Sequence, residues 1–326
     1  MNVKTHKIPK HLGVIDLFVF SSGFEKRATK LGEALDLDLV KKSYAFHLDE
    51  TYNISDEHIQ TVSKNLTNTE RLTYPKNQPL ETFDIFNQIL KDFVDTNYKR
   101  KKIVIVIDVT AFTREIMLIL IRVLSTDYFK QKTKITLIHT PAESYSEEHE
   151  NLWLTKGVRE IRSVGGYSGL HSPSKKLLLI LLNGFEEERA NTIIESFEPF
   201  KLIVGKPSEN DSITSGLNKI SNEKFQTLVT KHNNILLQKF EFSCQDIQIT
   251  KNAMSELCQK YCNEYNIVDA PLNNKVSTIA VGLFVLENEE VQICYASANQ
   301  YNIDSPHEAC DYFICHKLYD YLENFS

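Results

Sequence analysis

The chain has 326 residues, 42% apolar and 25% charged, with a formal net charge of −6 and a pI of about 6.0. That length suits two ordinary domains, and the composition is that of a globular protein. The acidic balance argues against non-specific binding to long nucleic acid or an anionic membrane surface, and no apolar run is long enough to span a bilayer.

The first half opens on an apolar run over residues 13–20 that reads as a buried strand. Asp16 interrupts it, which argues against a cleavable signal. Ser21-Ser22-Gly23 breaks the strand, and 25–35 reads as a helix with Ala28, Leu31 and Leu35 on one face. A strand is expected over 43–48, a polar stretch without clear period over 49–78, and an amphipathic helix over 81–98. Tyr98-Lys99-Arg100-Lys101-Lys102, the densest basic run, reads as a solvated turn. Ile103-Val104-Ile105-Val106-Ile107-Asp108 is apolar and β-branched up to its last residue, the signature of a central parallel strand. A helix over 114–124, a strand over 134–139 and another over 158–164 follow.

Glycine, serine and proline cluster over 165–174, which reads as the linker. The expected division is a lobe at 1–165, a linker at 166–174 and a second lobe at 175–326. Strands are expected over 177–182, 201–204, 266–268 and 291–295, and helices over 187–197, 250–265, 275–286 and 307–322. Alternating strands and helices predict α/β architecture: two tandem Rossmann-like lobes with mostly parallel sheets.

The halves repeat each other. Gly23-Phe24-Glu25-Lys26-Arg27-Ala28 and Gly184-Phe185-Glu186-Glu187-Glu188-Arg189-Ala190 each follow an apolar strand, their glycines 161 residues apart. Asp108 and Asp269 keep that offset, and each precedes a cation, Arg114 or Lys275, by six residues. A weak pattern recurring in register argues for internal duplication.

Both loops are expected beyond the carboxyl ends of parallel strands, where ligands of open α/β sheets bind, with helix N-termini aimed at the same place. Gly23 and Gly184 would allow a sharp turn or a close approach to a ligand; Ser21, Ser22 and Asn183 supply hydrogen-bonding groups. Thr110 or Thr113 can cap the following helix or bind an anion, and Arg114 adds a fork of donors. In the second lobe Asp269, Asn274 and Lys275 stand in the corresponding stretch. A cation opening a helix opposes the dipole, and making that choice twice suggests a negative partner. Against these stand plainer readings: Glu25 with Arg27, and Glu187 with Arg189, as surface ion pairs, Phe24 and Phe185 as core staples, and both aspartates as helix caps.

The loops Ser21-Ser22-Gly23 and Asp108-Val109-Thr110-Ala111-Phe112-Thr113-Arg114 resemble those of the CARF family of CRISPR-associated Rossmann-like sensors and of the related SAVED arrangement, in which two such lobes are fused. Phe112 stands where that family commonly has glycine, and in the second lobe only Asn274-Lys275 is similar. The resemblance implies a cytoplasmic sensor of a nucleotide-like small molecule that acts with a separate protein partner in prokaryotic defence or signalling.

Two other readings stay open. An enzyme acting on a nucleotide or glycosidic substrate would use Asp108, Glu25 and Glu187 as acid, base or nucleophile, with His139 assisting. An assembly subunit would use its lobes only for packing. Cys258-x3-Cys262 and Cys310-x4-Cys315-His316 match no common zinc spacing, so buried thiols are expected, with no metal and no cofactor. Walker, G-x-G-x-x-G, H-E-x-x-H and G-x-S-x-G patterns do not occur.

Overall fold

The structure, a computed structural model, describes residues 1–21, 23–48, 54–75, 77–145, 154–302 and 307–322. It is α/β with two mostly parallel sheets, one in each of two compact units. Unit 1 comprises Met1–Glu143 with His307–Ser326, and unit 2 comprises Ser144–Pro306. The chain therefore divides at two points, whereas the sequence suggested a single linker at 166–174.

Unit 1 begins with β1 (Asn2–Lys4), α1 (Ile8–Leu12), β2 (Leu17–Ser21), a 3-10 turn at Lys26–Ala28 and α2 (Lys30–Ala34). It continues through β3 (Ser43–Leu48), α3 (Ile54–Asn65), β4 (Thr69–Tyr74), α4 (Pro79–Asn97) and β5 (Ile103–Asp108). Then come α5 (Arg114–Leu124), α6 (Asp127–Lys132), β6 (Thr133–His139) and β7 (Ala142–Tyr145). Unit 2 holds β8 (Thr155–Ser168), β9 (Lys176–Leu182), α7 (Glu187–Phe197), β10 (Lys201–Pro207), α8 (Ser215–Lys231) and β11 (Leu236–Phe242). It ends with α9 (Ile247–Tyr261), β12 (Tyr265–Pro271), α10 (Lys275–Leu286) and β13 (Gln292–Tyr301). The chain then supplies β14 (His307–Ala309) and β15 (Tyr312–Lys317).

Both sheets have one topology. Unit 1 runs β4-β3-β2-β5-β6, then β15 and β1; unit 2 runs β11-β10-β9-β12-β13, then β8. Numbered within each unit, the five parallel strands stand in the order 3-2-1-4-5. The order reverses between β2 and β5 and between β9 and β12, which are the switch points of a doubly wound sheet. The sixth position is antiparallel in both. In sequence these sixth strands are exchanged. The long strand after β6 is β8, paired with β13, and the one after β13 is β15, paired with β6.

That exchange explains two departures from expectation. Residues 165–168 belong to β8, whose glycines include Gly166 at φ +84°. The segment read as a terminal helix is β14, β15 and a 3-10 turn at Leu318–Tyr321. Tyr312-Phe313-Ile314-Cys315 is a short apolar run buried on both faces, which periodicity cannot assign to strand or helix. Residues 49–78, read as irregular, contain α3 and β4; Ile59, Val62 and Leu66 of the α3 stretch are buried at helical spacing. The helix read over 25–35 is the short 3-10 turn and α2.

In unit 1 one face of the sheet, with Phe18, Phe20, Ala45 and Val106, packs on Leu31 of α2 and Ile59 and Val62 of α3. In unit 2 the matching face, with Leu179, Leu181, Val204, Val268 and Ala270, packs on α7 and α8. Each of the Val, Leu, Ile and Phe side chains among them contributes about 1.5–3 kcal/mol when fully buried. The packed faces fix the strand registers: Phe18 lies beside Val106, and Leu179 beside Val268. Val106 therefore corresponds to Val268, and Asp108 to Ala270. Asp269 sits one position out of step with Asp108, and in a strand one position changes the face. Asp108 lies on the α2/α3 side of its sheet, and Asp269 on the side opposite α7 and α8. The repeated spacing of the two aspartates is a coincidence of loop length.

Candidate functional site

At the carboxyl edge of unit 1, the loops after β2, β5 and β6 meet. Gly23 lets the first approach the second: a Cβ there would stand 2.9 Å from the Ala111 Cβ. The close contact is with protein, not an open ligand space. His58 donates through Nδ1 to the Gly23 carbonyl. Phe112 is fully buried and meets Phe86 edge-on, anchoring the loop after β5 in the core. Thr113 caps α5, its hydroxyl accepting from the Ile116 N–H at 3.3 Å. Arg114 opens the helix half-buried.

A chain of hydrogen bonds crosses this edge. The Thr110 N–H donates to Asp108 Oδ1 at 2.9 Å, and the Thr140 N–H donates to Thr110 Oγ1 at 2.9 Å. Arg27 Nη1 donates to the Thr140 carbonyl at 2.8 Å, and Arg27 Nε pairs with Glu25. Asp108, Thr110, Arg27 and Glu25 are thus linked through Thr140, whose chain neighbour His139 is buried. Arg27 is 8% exposed, so the expected surface pair is a largely buried one. Asp108 does not cap a helix. Burial pushes its carboxyl up to about 6, against the Thr110 hydroxyl and N–H and the Arg27 charge, which lower it. Its second oxygen, Oδ2, is buried without a hydrogen-bond partner. Ser21 ends β2, buried, and Ser22 lies outside the described residues.

The corresponding edge of unit 2 is closed by its own hydrogen bonds. A Cβ on Gly184 would fall 2.3 Å from the Leu272 carbonyl oxygen, so this glycine too serves contact between loops. The Asn183 carbonyl accepts from Asn273 Nδ2 at 2.6 Å, and Asn273 Oδ1 accepts from the Asn274 N–H at 2.8 Å and the Cys244 thiol at 3.1 Å. Asn274 caps α10 through the Ser277 N–H at 3.0 Å and donates to the Cys244 carbonyl at 2.7 Å. Lys275 starts α10 half-buried. Arg189 pairs with Glu186 at 3.1 Å, both nearly fully buried, and donates to Thr155 Oγ1 at 3.0 Å. The partner in the repeat is therefore Glu186; Glu187 pairs with Lys224 at 3.3 Å. Asp269 is neither a cap nor part of this edge network: both its oxygens are buried without a hydrogen-bond partner, and burial raises its carboxyl.

Of the acid–base set drawn from the sequence, Glu25 faces Arg27 in unit 1 and Glu187 faces Lys224 in unit 2. Phe24 and Phe185 are half-buried, short of core positions. Thr140, His58 and Asn273 hold the edges without a sequence signal of their own, because their partners are backbone atoms or side chains far along the chain, whereas Glu186 lies within the repeat, three residues before Arg189. All six cysteines are free thiols, and among the described residues no group of three or more His, Cys, Asp or Glu side chains could hold a metal ion. No helix among the described residues is long and apolar enough to cross a membrane.

The fold and these edges define a protein of two doubly wound α/β units. No family model matches the chain. No curated protein matches it. Among the solved structures that align with it distantly are the following two. One is UDP-GlcNAc 2-epimerase from Neisseria meningitidis bound to UDP-GlcNAc, at 8% identity over 79% of this chain and 77% of that one, with a TM-score of 0.26. The other is the N-domain of bacterial malonyl-CoA reductase with NADP, at 9% identity over 85% and 77%, with a TM-score of 0.23. Likeness at that level carries no inference about the ligand.

Proposed function

We propose that unit 1 binds a nucleotide or related phosphorylated small molecule at the carboxyl edge of its sheet. The observation that carries this reading is Asp108: a buried carboxyl at a switch point, one oxygen without a partner, six residues before a helix that opens on Arg114. A buried acceptor left open is costly, and a ligand hydroxyl that reaches it as the loop after β5 yields relieves the cost. The positive end of the α5 dipole and the Arg114 guanidinium, which opens that helix, take the phosphate.

In this reading the ligand is bound and kept. The resemblance of the loops to CARF and SAVED sensors makes a cyclic oligonucleotide the first ligand to try, with the output passed to a separate partner chain. The shared strand order supports descent of both units from one duplicated module. The unequal edges then mean that only unit 1 keeps a ligand position.

The test is a panel of linear and cyclic nucleotides, read by thermal shift and by chromatography of the recovered ligand. A stabilising ligand recovered unchanged, with binding weakened at least tenfold by Arg114→Ala, supports the proposal. Conversion of the ligand, abolished by Asp108→Asn, makes the protein an enzyme. Binding indifferent to both substitutions places the site elsewhere.

A further inference from the structure

The opposite, amino-terminal edge of the unit 1 sheet carries a separate feature. The run Tyr98–Lys102 leads into β5, and α6 leads into β6 beside it, with Ile103 paired to Thr133. Segments 91–102 and 128–134 together hold eight lysines and arginines against two aspartates, in a chain whose net charge is −6. Lys99, Arg100 and Lys101 are exposed and make no ion pair among the described residues. Arg100 adopts a left-handed φ of +62°, which only a tight turn requires of a non-glycine residue.

Two aromatic rings lie within this charge. The Lys132 ammonium is 4.0 Å from the Tyr128 ring centroid and 5.6 Å from that of Tyr98; Lys91 is 5.5 Å from Tyr128. Asp95, one of the two acids, is engaged by the Tyr128 hydroxyl and by Lys132 at 2.9 Å. Tyr98 is left 36% exposed, with the unpaired cations next to it in sequence. The negative end of the α4 dipole accounts for one or two cations near its C-terminus, and not for a field of this size.

We propose that this patch binds single-stranded nucleic acid. Exposed lysines and arginines meet the phosphates, and Tyr98, steadied by Lys132, offers a face on which a base stacks. Stacking on an aromatic ring combined with a cationic track is the chemistry by which single strands are held without sequence preference. A duplex, whose bases are already stacked, gains only the charge. The patch lies at the opposite end of the strands from Asp108, so this proposal stands or falls independently of the nucleotide site.

The experiment is fluorescence anisotropy of the full chain with a labelled 20-nucleotide single strand, a matched duplex and a sulfated polysaccharide, from 50 to 200 mM salt. About five phosphate contacts predict affinity falling about 100-fold over that range. Replacing three cations together, Lys99→Gln, Arg100→Gln and Lys101→Gln, should weaken binding at least tenfold and cut the salt slope by about two. Tyr98→Ala should cost the single strand at least fivefold and leave the duplex unchanged, while Tyr98→Phe restores it. Melting curves confirm that these surface variants fold. No saturable binding at 10 μM protein and 50 mM salt overturns the proposal, as does binding that survives the triple substitution. A duplex or polysulfate held as tightly, with no effect of Tyr98→Ala, reduces the patch to a general polyanion face and equally overturns it.

Discussion

Arg27 and Thr140 are joined across 113 positions of sequence by a 2.8 Å hydrogen bond from Nη1 to the backbone carbonyl, buried at the carboxyl edge of unit 1. That bond ties the loop after β2 to the end of β6, over the top of β5, while Glu25 holds the other side of the guanidinium. Arg27→Ala leaves the Thr140 carbonyl without its donor and Glu25 without its counter-charge. The expected loss is about 2–3 kcal/mol of stability, read by urea denaturation. Glu25→Gln, with Glu25 24% exposed, should cost less than half as much.

Gly23 and Gly184 perform the same task under different tolerances. An added methyl at 23 meets a side-chain carbon at 2.9 Å, and at 184 a backbone oxygen at 2.3 Å. The Ala111 Cβ has no rotamer and yields only with its backbone, so both changes strain the loops, and the 2.3 Å approach at Gly184 is the deeper overlap. Gly184→Ala should therefore lose about 2–3 kcal/mol and Gly23→Ala about 1 kcal/mol, compared by denaturant midpoints at unchanged slope. Equal losses would mean that the Leu272 carbonyl moves freely.

Each buried aspartate makes a contribution to stability that falls with rising pH. Asp108 has a carboxyl near 6 in the fold and near its ordinary value of 3.8 when unfolded. Between those values the unfolded chain gives up the proton first, so the contribution of Asp108 to stability is fully present below about 4, declines up to about 6 and then levels. Asp108→Asn keeps the acceptor for the Thr110 N–H and removes the cost of ionisation. It should gain on the order of 2–3 kcal/mol over the wild type at pH 7 and nothing at pH 4. Asp269 is raised by burial without an opposing hydrogen bond, so Asp269→Leu should stabilise at neutral pH in the same direction. Urea titrations at pH 4, 5, 6 and 7 decide both.

What was legible in the sequence follows from which forces are local. The apolar run into β5, the helix opening at Arg114 and its counterpart opening at Lys275 were readable from period and composition. So was the repetition of Gly23 and Gly184, although its purpose, loop against loop, needed the register of neighbouring strands. The equivalence of Asp108 and Asp269 fails because spacing along the chain does not show which face of a sheet a residue takes. Glu186 and Glu187 are consecutive acids at a helix start, and only the packing of α7 buries the first against Arg189 and leaves the second to Lys224. The strand exchange that places β15 beside β6 has no local signature at all.

The direct test of the nucleotide site is calorimetric titration of cyclic nucleotides carrying only phosphodiesters, whose charge does not change between pH 5 and 7. The wild type should show saturable binding at pH 7, weakened at least tenfold by Arg114→Ala and several-fold by protonating Asp108 at pH 5, with Asp108→Asn insensitive to that change. Wild-type affinity that is the same at both pH values and unmoved by Arg114→Ala would contradict a ligand at the carboxyl edge of unit 1.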